Sequence, residues 1–567
     1  MNEGVSTSDL QSILKQVEEQ LAKAGELPAV VELAFRQLLN VVEALSSDKK
    51  SLADEVERLR KQLEQKKKAK TTADTNDGDA QESNSDHSSE KHRHKRPKPR
   101  SRPASDRRTF KDLTIHETIE CPVDPATLPP DAVREPNESV VIQDIEIKPR
   151  NIRFERHVHY SATEKKFFRG PLPGGSDRGD FGPGLRALIV ALKYCGNMSE
   201  PKIGEFLENF DVQVSAGSLS NILTHTAKSF EDEFHDLFTA GLASTPYQQT
   251  DDTSARVAGK FWHTHIVCNP YYTAYSTRPH KDRLTVLSVL QNTDNLRFRF
   301  NTKTLELLQA EFAIPVKWQR SIAALGEDVA FDAESLKTLL DDWFGERNQQ
   351  TRTAIEQAAA TVYYQQQTVV PVVETLVCDD AGQFKSITGH LALCWIHAGR
   401  HYEKLSPVVS RHVESLKAFT EQYWDYYTSL QDYRAGPTKA LAAKLRLEFD
   451  ALFSTRTGYA ALDDRIAKTA AKKDELLTVL DHPEVPLHNN ALELGARVSA
   501  RRRDVSLHSR SVRGARAMDI FTTLVQTSKQ LGVSAYEYLR DRLSRRFEMP
   551  SLAQCIQQAA QSATASG

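Results

Sequence analysis

Three acidic residues, far apart in the chain, each stand in a distinctive local frame. They are Asp251 in Tyr247-Gln-Gln-Thr-Asp-Asp-Thr, Asp379 in Leu376-Val-Cys-Asp-Asp-Ala-Gly, and Glu493 in His488-Asn-Asn-Ala-Leu-Glu. The first two lie at or near the ends of strand-like runs and the third in a helix-like segment. Carboxylates delivered from separate elements can gather around hard cations such as Mg²⁺, which favour one or two carboxylates plus water and substrate phosphate. A pair of such ions clamps the attacking and leaving oxygens of a phosphoryl displacement. The chemistry this predicts is metal-dependent reaction at phosphodiesters, with Asp251, Asp379 and Glu493 as both catalytic and metal-holding residues.

Several neighbours compete with or support these acids. Asp252 reads as an adjacent solvated carboxylate with a supporting role open to it. Asp380 is an alternative to Asp379, which is preferred because it directly follows the apolar run Val369 to Cys378. In Cys394-Trp-Ile-His-Ala-Gly-Arg, the Cys-x-x-His spacing lacks the further ligands zinc needs, so Cys394 and Trp395 read as helix core. His397 and Arg400 fall three apart on one helical face and are candidate site neighbours able to approach a phosphate. Arg497, one turn beyond Glu493, can pair with it. With Arg501, Arg502, Arg503, Arg510, Arg513 and Arg516 it forms a basic strip suited to a DNA backbone, since guanidinium groups hold phosphates by bidentate hydrogen bonds. The alternative for this strip is a solvated basic face.

The frames around these acids, from about residue 182 to 545, resemble the transposases of the insertion-sequence-66 family, part of the larger DDE class. The most specific stretch is Pro486-Leu-His-Asn-Asn-Ala-Leu-Glu, then the Arg-rich segment, then Leu531-Gly-Val-Ser-Ala-Tyr-Glu-Tyr-Leu-Arg-Asp; Cys394-Trp-Ile-His-Ala also matches. The resemblance implies a ribonuclease-H-like catalytic core at 240–520, with two Mg²⁺ or Mn²⁺ ions held by Asp251, Asp379 and Glu493. It implies a transposase that binds the inverted-repeat ends of a mobile element, cleaves them, and transfers them into target DNA. Implied partners are double-stranded DNA, a second copy in a dimer or higher oligomer, and accessory proteins of the element. Relatives often carry a cysteine-rich, zinc-binding segment at the position of residues 110–170; only Cys121 stands there, so that metal is not expected. The long intervals between the acids predict helical insertions near 282–366 and 403–480.

The rest of the chain must position this core. Its 567 residues suffice for several domains, and 74 Lys+Arg against 76 Asp+Glu leave net charge uninformative about a polyanionic partner. No apolar run is long enough to span a bilayer. The opening Met1-Asn-Glu-Gly-Val-Ser-Thr-Ser lacks the layout of a secretion signal. Six scattered cysteines without a CxxC pair suit a reducing compartment. A cytoplasmic, nucleoid-associated protein without a membrane partner is expected.

Residues 8–66 read as a coiled-coil arm, with Val42, Leu45, Lys49, Leu52, Val56, Leu59 and Leu63 stepping by three and four as an a/d seam. The alternative is an amphipathic helix packed on its own chain. Residues 67–109 change from acidic to basic, are predicted disordered, and carry Lys95 and Arg96 as DNA contacts. Residues 110–170 alternate polar and apolar, as in Val140-Val-Ile-Gln-Asp-Ile-Glu-Ile, and read as a small β-rich module. Residues 182–235 resemble a helix-turn-helix, with Ser199 or Ser215 as caps and Ser218 and Asn221 as groove contacts. Residues 521–567 read as a C-terminal helical segment. The fold class expected is multidomain α/β. Two other functions stay open: a non-catalytic, sequence-specific DNA-binding protein (a domesticated transposase), or a metal-dependent nuclease without strand transfer.

Overall fold

The computed structural model describes Ile13, Gln16, Val17 and Gln20, residues 28–71, and residues 114–566 apart from 125–126, 130, 135, 173–180 and 346. Lys95 and Arg96, with most of the acidic-then-basic stretch, lie outside the described residues. The chain is mixed α/β and mostly helical, and divides into two units. One comprises residues 1–85, 171–203 and 215–567; the other comprises 86–170 and 204–214.

In the smaller unit, β1 (Val158–Ser161) and β2 (Lys166–Arg169) form an antiparallel hairpin. The alternating run from Val140 to Ile147 forms no strand there, and Val140, Ile142 and Ile145 are exposed. The expected β-rich module therefore reduces, among the described residues of 114–170, to one hairpin. Alternation prepares a strand for pairing, but the run has no ladder partner.

The larger unit is built on a five-stranded sheet ordered β5-β4-β3-β8-β9. Strands β3 (Tyr247–Val257), β4 (Lys260–Asn269) and β5 (Tyr272–Arg278) form an antiparallel meander. Strands β8 (Thr375–Cys378) and β9 (His390–Leu393) add in parallel beside β3. A separate antiparallel pair, β6 (Arg297–Phe300) and β7 (Val329–Asp332), lies in the first insertion.

The helices in chain order begin with α1 (Ala29–Thr71), α2 (Pro183–Tyr194), α3 (Glu200–Glu208), α4 (Ala216–Lys228) and α5 (Glu231–Ala243). The first insertion supplies α6 (Arg283–Leu290), α7 (Thr302–Leu307), α8 (Val316–Ala323), α9 (Ala333–Phe344) and α10 (Gln349–Gln366). After β9 comes α11 (Trp395–Glu403), and the second insertion holds α12 (Ser410–Ala435), α13 (Lys439–Phe453), α14 (Ala460–Ala470) and α15 (Lys473–Leu476). The chain then runs through α16 (Asn490–Ser506), α17 (Val512–Gln530), α18 (Ala535–Leu543) and α19 (Leu552–Ser566).

Both edges of the main sheet are covered. Along β5, the backbone N–H groups of Thr273, Tyr275 and Thr277 donate to side chains of Thr527, Thr523 and Asp519 on α17. The match is geometric: four helical residues rise roughly 6 Å and two strand residues roughly 6.6 Å, so every fourth helix position meets every second strand amide. Along β9, the Thr478 hydroxyl donates to the Leu391 carbonyl at 2.9 Å.

Helix α1 begins just past Pro28 and docks on its own unit. Leu39 is buried with Val409, and Phe35, Val42 and Val408 pack around them. Buried Glu43 accepts from the backbone N–H groups of Val408 and Val409, at 2.8 and 3.1 Å, and pairs with His412 Nδ1 at 3.1 Å. These amides begin α12, where backbone donors lack helical acceptors. Further along, Leu45, Leu52, Val56 and Leu59 are exposed. The alternative reading of an amphipathic helix on its own chain thus holds for the first part of α1, while the later seam residues stay uncovered.

Candidate active site

Asp251 lies inside β3, so the first acid is a mid-strand residue and not a strand end. Asp379 follows β8 directly. The parallel register pairs Tyr247 with Thr375, Gln248 with Leu376 and Gln249 with Val377. The same offset, carried two residues further, sets Asp251 beside Asp379. Successive strand side chains face opposite ways, so Asp252 turns to the other face, 3.5 Å from His263 Nδ1 and 3.8 Å from Lys281 Nζ. Asp380 forms an ion pair with Lys472. Each neighbouring acid thus has a cationic or imidazole partner of its own.

Glu493 stands in the first turn of α16. Two contacts seat that helix on the sheet: Asn489 Nδ2 donates to the Thr250 carbonyl at 3.3 Å, and Tyr275 Oη donates to the Gly495 carbonyl at 3.1 Å. A β-carbon at Gly495 would come within 3.3 Å of Tyr275 Oη and 3.4 Å of Ile266 and Thr273 methyl groups. Glycine there permits the close approach that brings Glu493 toward β3.

Asp251 senses the other two acids. Burial, and next the charge of Asp379, push the Asp251 carboxyl up to about 7, with Asp252 and Glu493 adding in the same direction; the Asp252 N–H opposes them. Burying a carboxyl beside like charges disfavours its ionisation. Glu493 Oε1 accepts from Arg400 Nη2 at 2.7 Å, and Arg400 Nη1 lies 3.1 Å from His397 Nε2. Burial and the adjacent guanidinium hold His397 below its ordinary value. The thiol of Cys394 is pushed up to about 11 by burial, and Trp395 is fully buried with its Nε1 on the Leu476 carbonyl. Both are core residues.

Among the described residues, no group of three or more His, Cys, Asp or Glu stands ready to hold a metal ion. The donor set still fits a hard cation, because Asp251 and Asp379 supply adjacent carboxylate oxygens whose repulsion a cation would relieve, and Mg²⁺ needs only one or two carboxylates. Glu493 is meanwhile held by Arg400.

The basic strip divides by helix phase. Arg501, Arg510 and Arg513 are exposed and Arg497 is half-buried. Arg502 is buried, donates to Thr522 Oγ1 and to the Tyr194 carbonyl, and stacks over the Tyr194 ring. It is a packing residue, which corrects its assignment to a DNA-facing strip. Arg503 donates to Thr253 Oγ1 and the Ser254 carbonyl, tying α16 to β3. In α4, Ser215 caps the helix through the Ser218 N–H, Ser218 is half-buried with its hydroxyl on Ser215 Oγ, and Asn221 is exposed. The edge-covering residues Thr523, Thr527 and Asp519 were not anticipated; a polar residue at every fourth helix position was their only signal. A cavity lined in part by Arg256, Thr277, Arg502, Asp519 and Thr522 includes none of the three acids in its wall.

Comparison with known proteins adds two findings. The chain is 33% identical over 323 residues to the uncharacterised protein y4jO of Sinorhizobium fredii, an alignment covering 54% of this chain and 94% of that protein. The family model described as Transposase IS66 family matches residues 347–517, a span that includes Asp379, His397, Arg400 and Glu493 but not Asp251. With its ordered motifs and this match, the chain belongs to the IS66 family of transposases.

Proposed function

We propose that this transposase binds the inverted-repeat ends of its mobile element and carries out divalent-metal-dependent DNA strand cleavage and strand transfer. The observation that carries the reading is the placement of Asp251 on β3 beside the end of β8, which Asp379 follows, with α16 and its Glu493 seated on the same strand through Asn489. We read the sheet order, an antiparallel meander followed by two parallel strands, as a ribonuclease-H-like core. Asp251 on β3 and Asp379 after β8 would hold Mg²⁺ or Mn²⁺, with Glu493 joining from α16. Bound there, two such ions would supply the activation of a water or a DNA 3′-hydroxyl and the stabilisation of the leaving oxygen. The chain's own part is to fix the carboxylates on rigid elements, to keep Asp252 and Asp380 engaged elsewhere, and to seat DNA phosphates. Arg501, Arg510 and Arg513 are the exposed cations suited to that last task. The exposed seam of α1 would pair with a second copy, since two element ends must be joined. A cytoplasmic, nucleoid-associated location agrees with this role, and no described helix is long and apolar enough to cross a membrane.

The test is nicking of supercoiled plasmid with Mg²⁺, comparing wild type with Asp251→Ala, followed by joining of pre-cleaved ends to target DNA. Loss of nicking in the variant is expected, and equal cleavage by both proteins would remove the catalytic assignment. Nicking without joining would make the protein a nuclease, and DNA binding without either would make it a non-catalytic DNA-binding protein.

A further inference from the structure

Resting on the reading of Asp251, Asp379 and Glu493 as a cation site, we propose that Arg400 is a positioning residue that holds Glu493 until a divalent cation displaces it, and then pairs with a DNA phosphate. Arg400 comes from α11: its Nη2 donates to Glu493 Oε1 at 2.7 Å, and its Nη1 reaches His397 Nε2 at 3.1 Å. A guanidinium only donates, so Nε2 of His397 accepts and the ring proton sits on Nδ1. Among the described residues that buried Nδ1 has no hydrogen-bond partner, and the charges of Asp379 and Glu493 both act on the ring. The cluster thus presents a charged fork and an unsatisfied N–H next to the acids, the donor set that a phosphate oxygen satisfies.

Charge balance gives the direction of the exchange. Alone, the site gathers three carboxylates, and Arg400 offsets one of them. A guanidinium keeps its charge at any accessible pH, so a dication arriving at Glu493 both competes with it and repels it. A phosphodiester is the anion that arrives with the reaction. Cation and DNA should therefore bind cooperatively through Arg400.

The experiment measures Mn²⁺ binding to the metal-stripped full chain by the electron spin resonance of free Mn²⁺, with and without a short DNA duplex at fixed ionic strength. Arg400→Gln is expected to bind Mn²⁺ about fivefold tighter than wild type without DNA, the size of a half-exposed ion pair released from competition. Added duplex should then tighten binding in wild type more than in the variant. An Arg400→Gln protein that binds Mn²⁺ no tighter than wild type overturns the proposal. A second measurement stands apart from the folding of that variant: in chelator, Glu493→Gln frees Arg400 and should tighten DNA binding, with most of that gain lost in Glu493→Gln/Arg400→Lys. An equal gain in both overturns it as well. Wild-type Mn²⁺ binding unaffected by Asp251→Asn would instead defeat the cation-site reading and this proposal together, whereas binding that needs Asp251 but ignores Arg400 defeats this proposal alone.

Discussion

Replacing Asp519 by Asn should change the pH dependence of stability in a calculable way. Asp519 is buried on α17 and accepts from the backbone N–H and the hydroxyl of Thr277, each at 2.7 Å. Burial pushes its carboxyl up from 3.8 to about 6, against the lowering effect of those hydrogen bonds and of Arg516 and Arg278. A folded-state value above the unfolded one means the folded chain binds the extra proton, so this contribution is complete below about pH 4 and lost as pH rises to about 6. Its size is roughly 3 kcal/mol, from the 3.8-to-6 difference at ~1.4 kcal/mol per pH unit. Asparagine has no such titration and keeps an oxygen for the Thr277 N–H. The stability of wild type minus that of Asp519→Asn should therefore fall by up to ~3 kcal/mol between about pH 4 and pH 7. A chain with several domains does not unfold in one step, so the assay is native-state hydrogen exchange of the β5 amides across that pH range. A difference between the two proteins that stays constant with pH would refute the reasoning, because the carboxyl would then ionise as it does in the unfolded chain.

Other outcomes are expected from the same geometry. Gly495→Ala should cost about 1–3 kcal/mol by pressing a methyl group on Tyr275, Ile266 and Thr273, read as a lower melting temperature with weaker nicking. Asp379→Asn and Glu493→Gln should each lower Mg²⁺-dependent nicking by about two orders of magnitude or more, with DNA binding in chelator retained in the first and tightened in the second; retained nicking in either counts against its role. Arg501→Ala, Arg510→Ala and Arg513→Ala should each reduce the salt dependence of DNA binding by about one charge equivalent, whereas Arg502→Ala should lower stability without changing that slope. Glu43→Ala should leave the Val408 and Val409 amides without their acceptor at a cost of about 1–3 kcal/mol, seen as faster exchange of those amides and proteolysis of the N-terminal arm.

The elements that carry the three candidate acids were legible in the sequence, because each acid sits in a short frame whose residue types form a strand, a strand end or a first helical turn. Their mutual placement was less so: Asp251 lies mid-strand, and only the β3–β8 register sets it beside Asp379. Arg502 misled because a run of three arginines hides helix phase. Each residue turns about 100°, which leaves Arg501 exposed and buries Arg502 against Tyr194. The run from Val140 to Ile147 misled in the opposite sense, since period-two alternation reports what a strand would need and not whether a neighbour exists. The α1 seam could not reveal that Glu43, one position past Val42, would be drawn inward to cap α12. That contact joins residues 366 apart, and no local pattern carries it.

The covered edges of the main sheet have a consequence for how copies of this protein can meet. With the β5 amides occupied by α17 and the Leu391 carbonyl by Thr478, docking a strand of another molecule onto the main sheet would first require displacing those contacts. If copies pair on DNA as proposed, they would then pack through helical faces and side chains, leaving the acid-bearing platform undeformed.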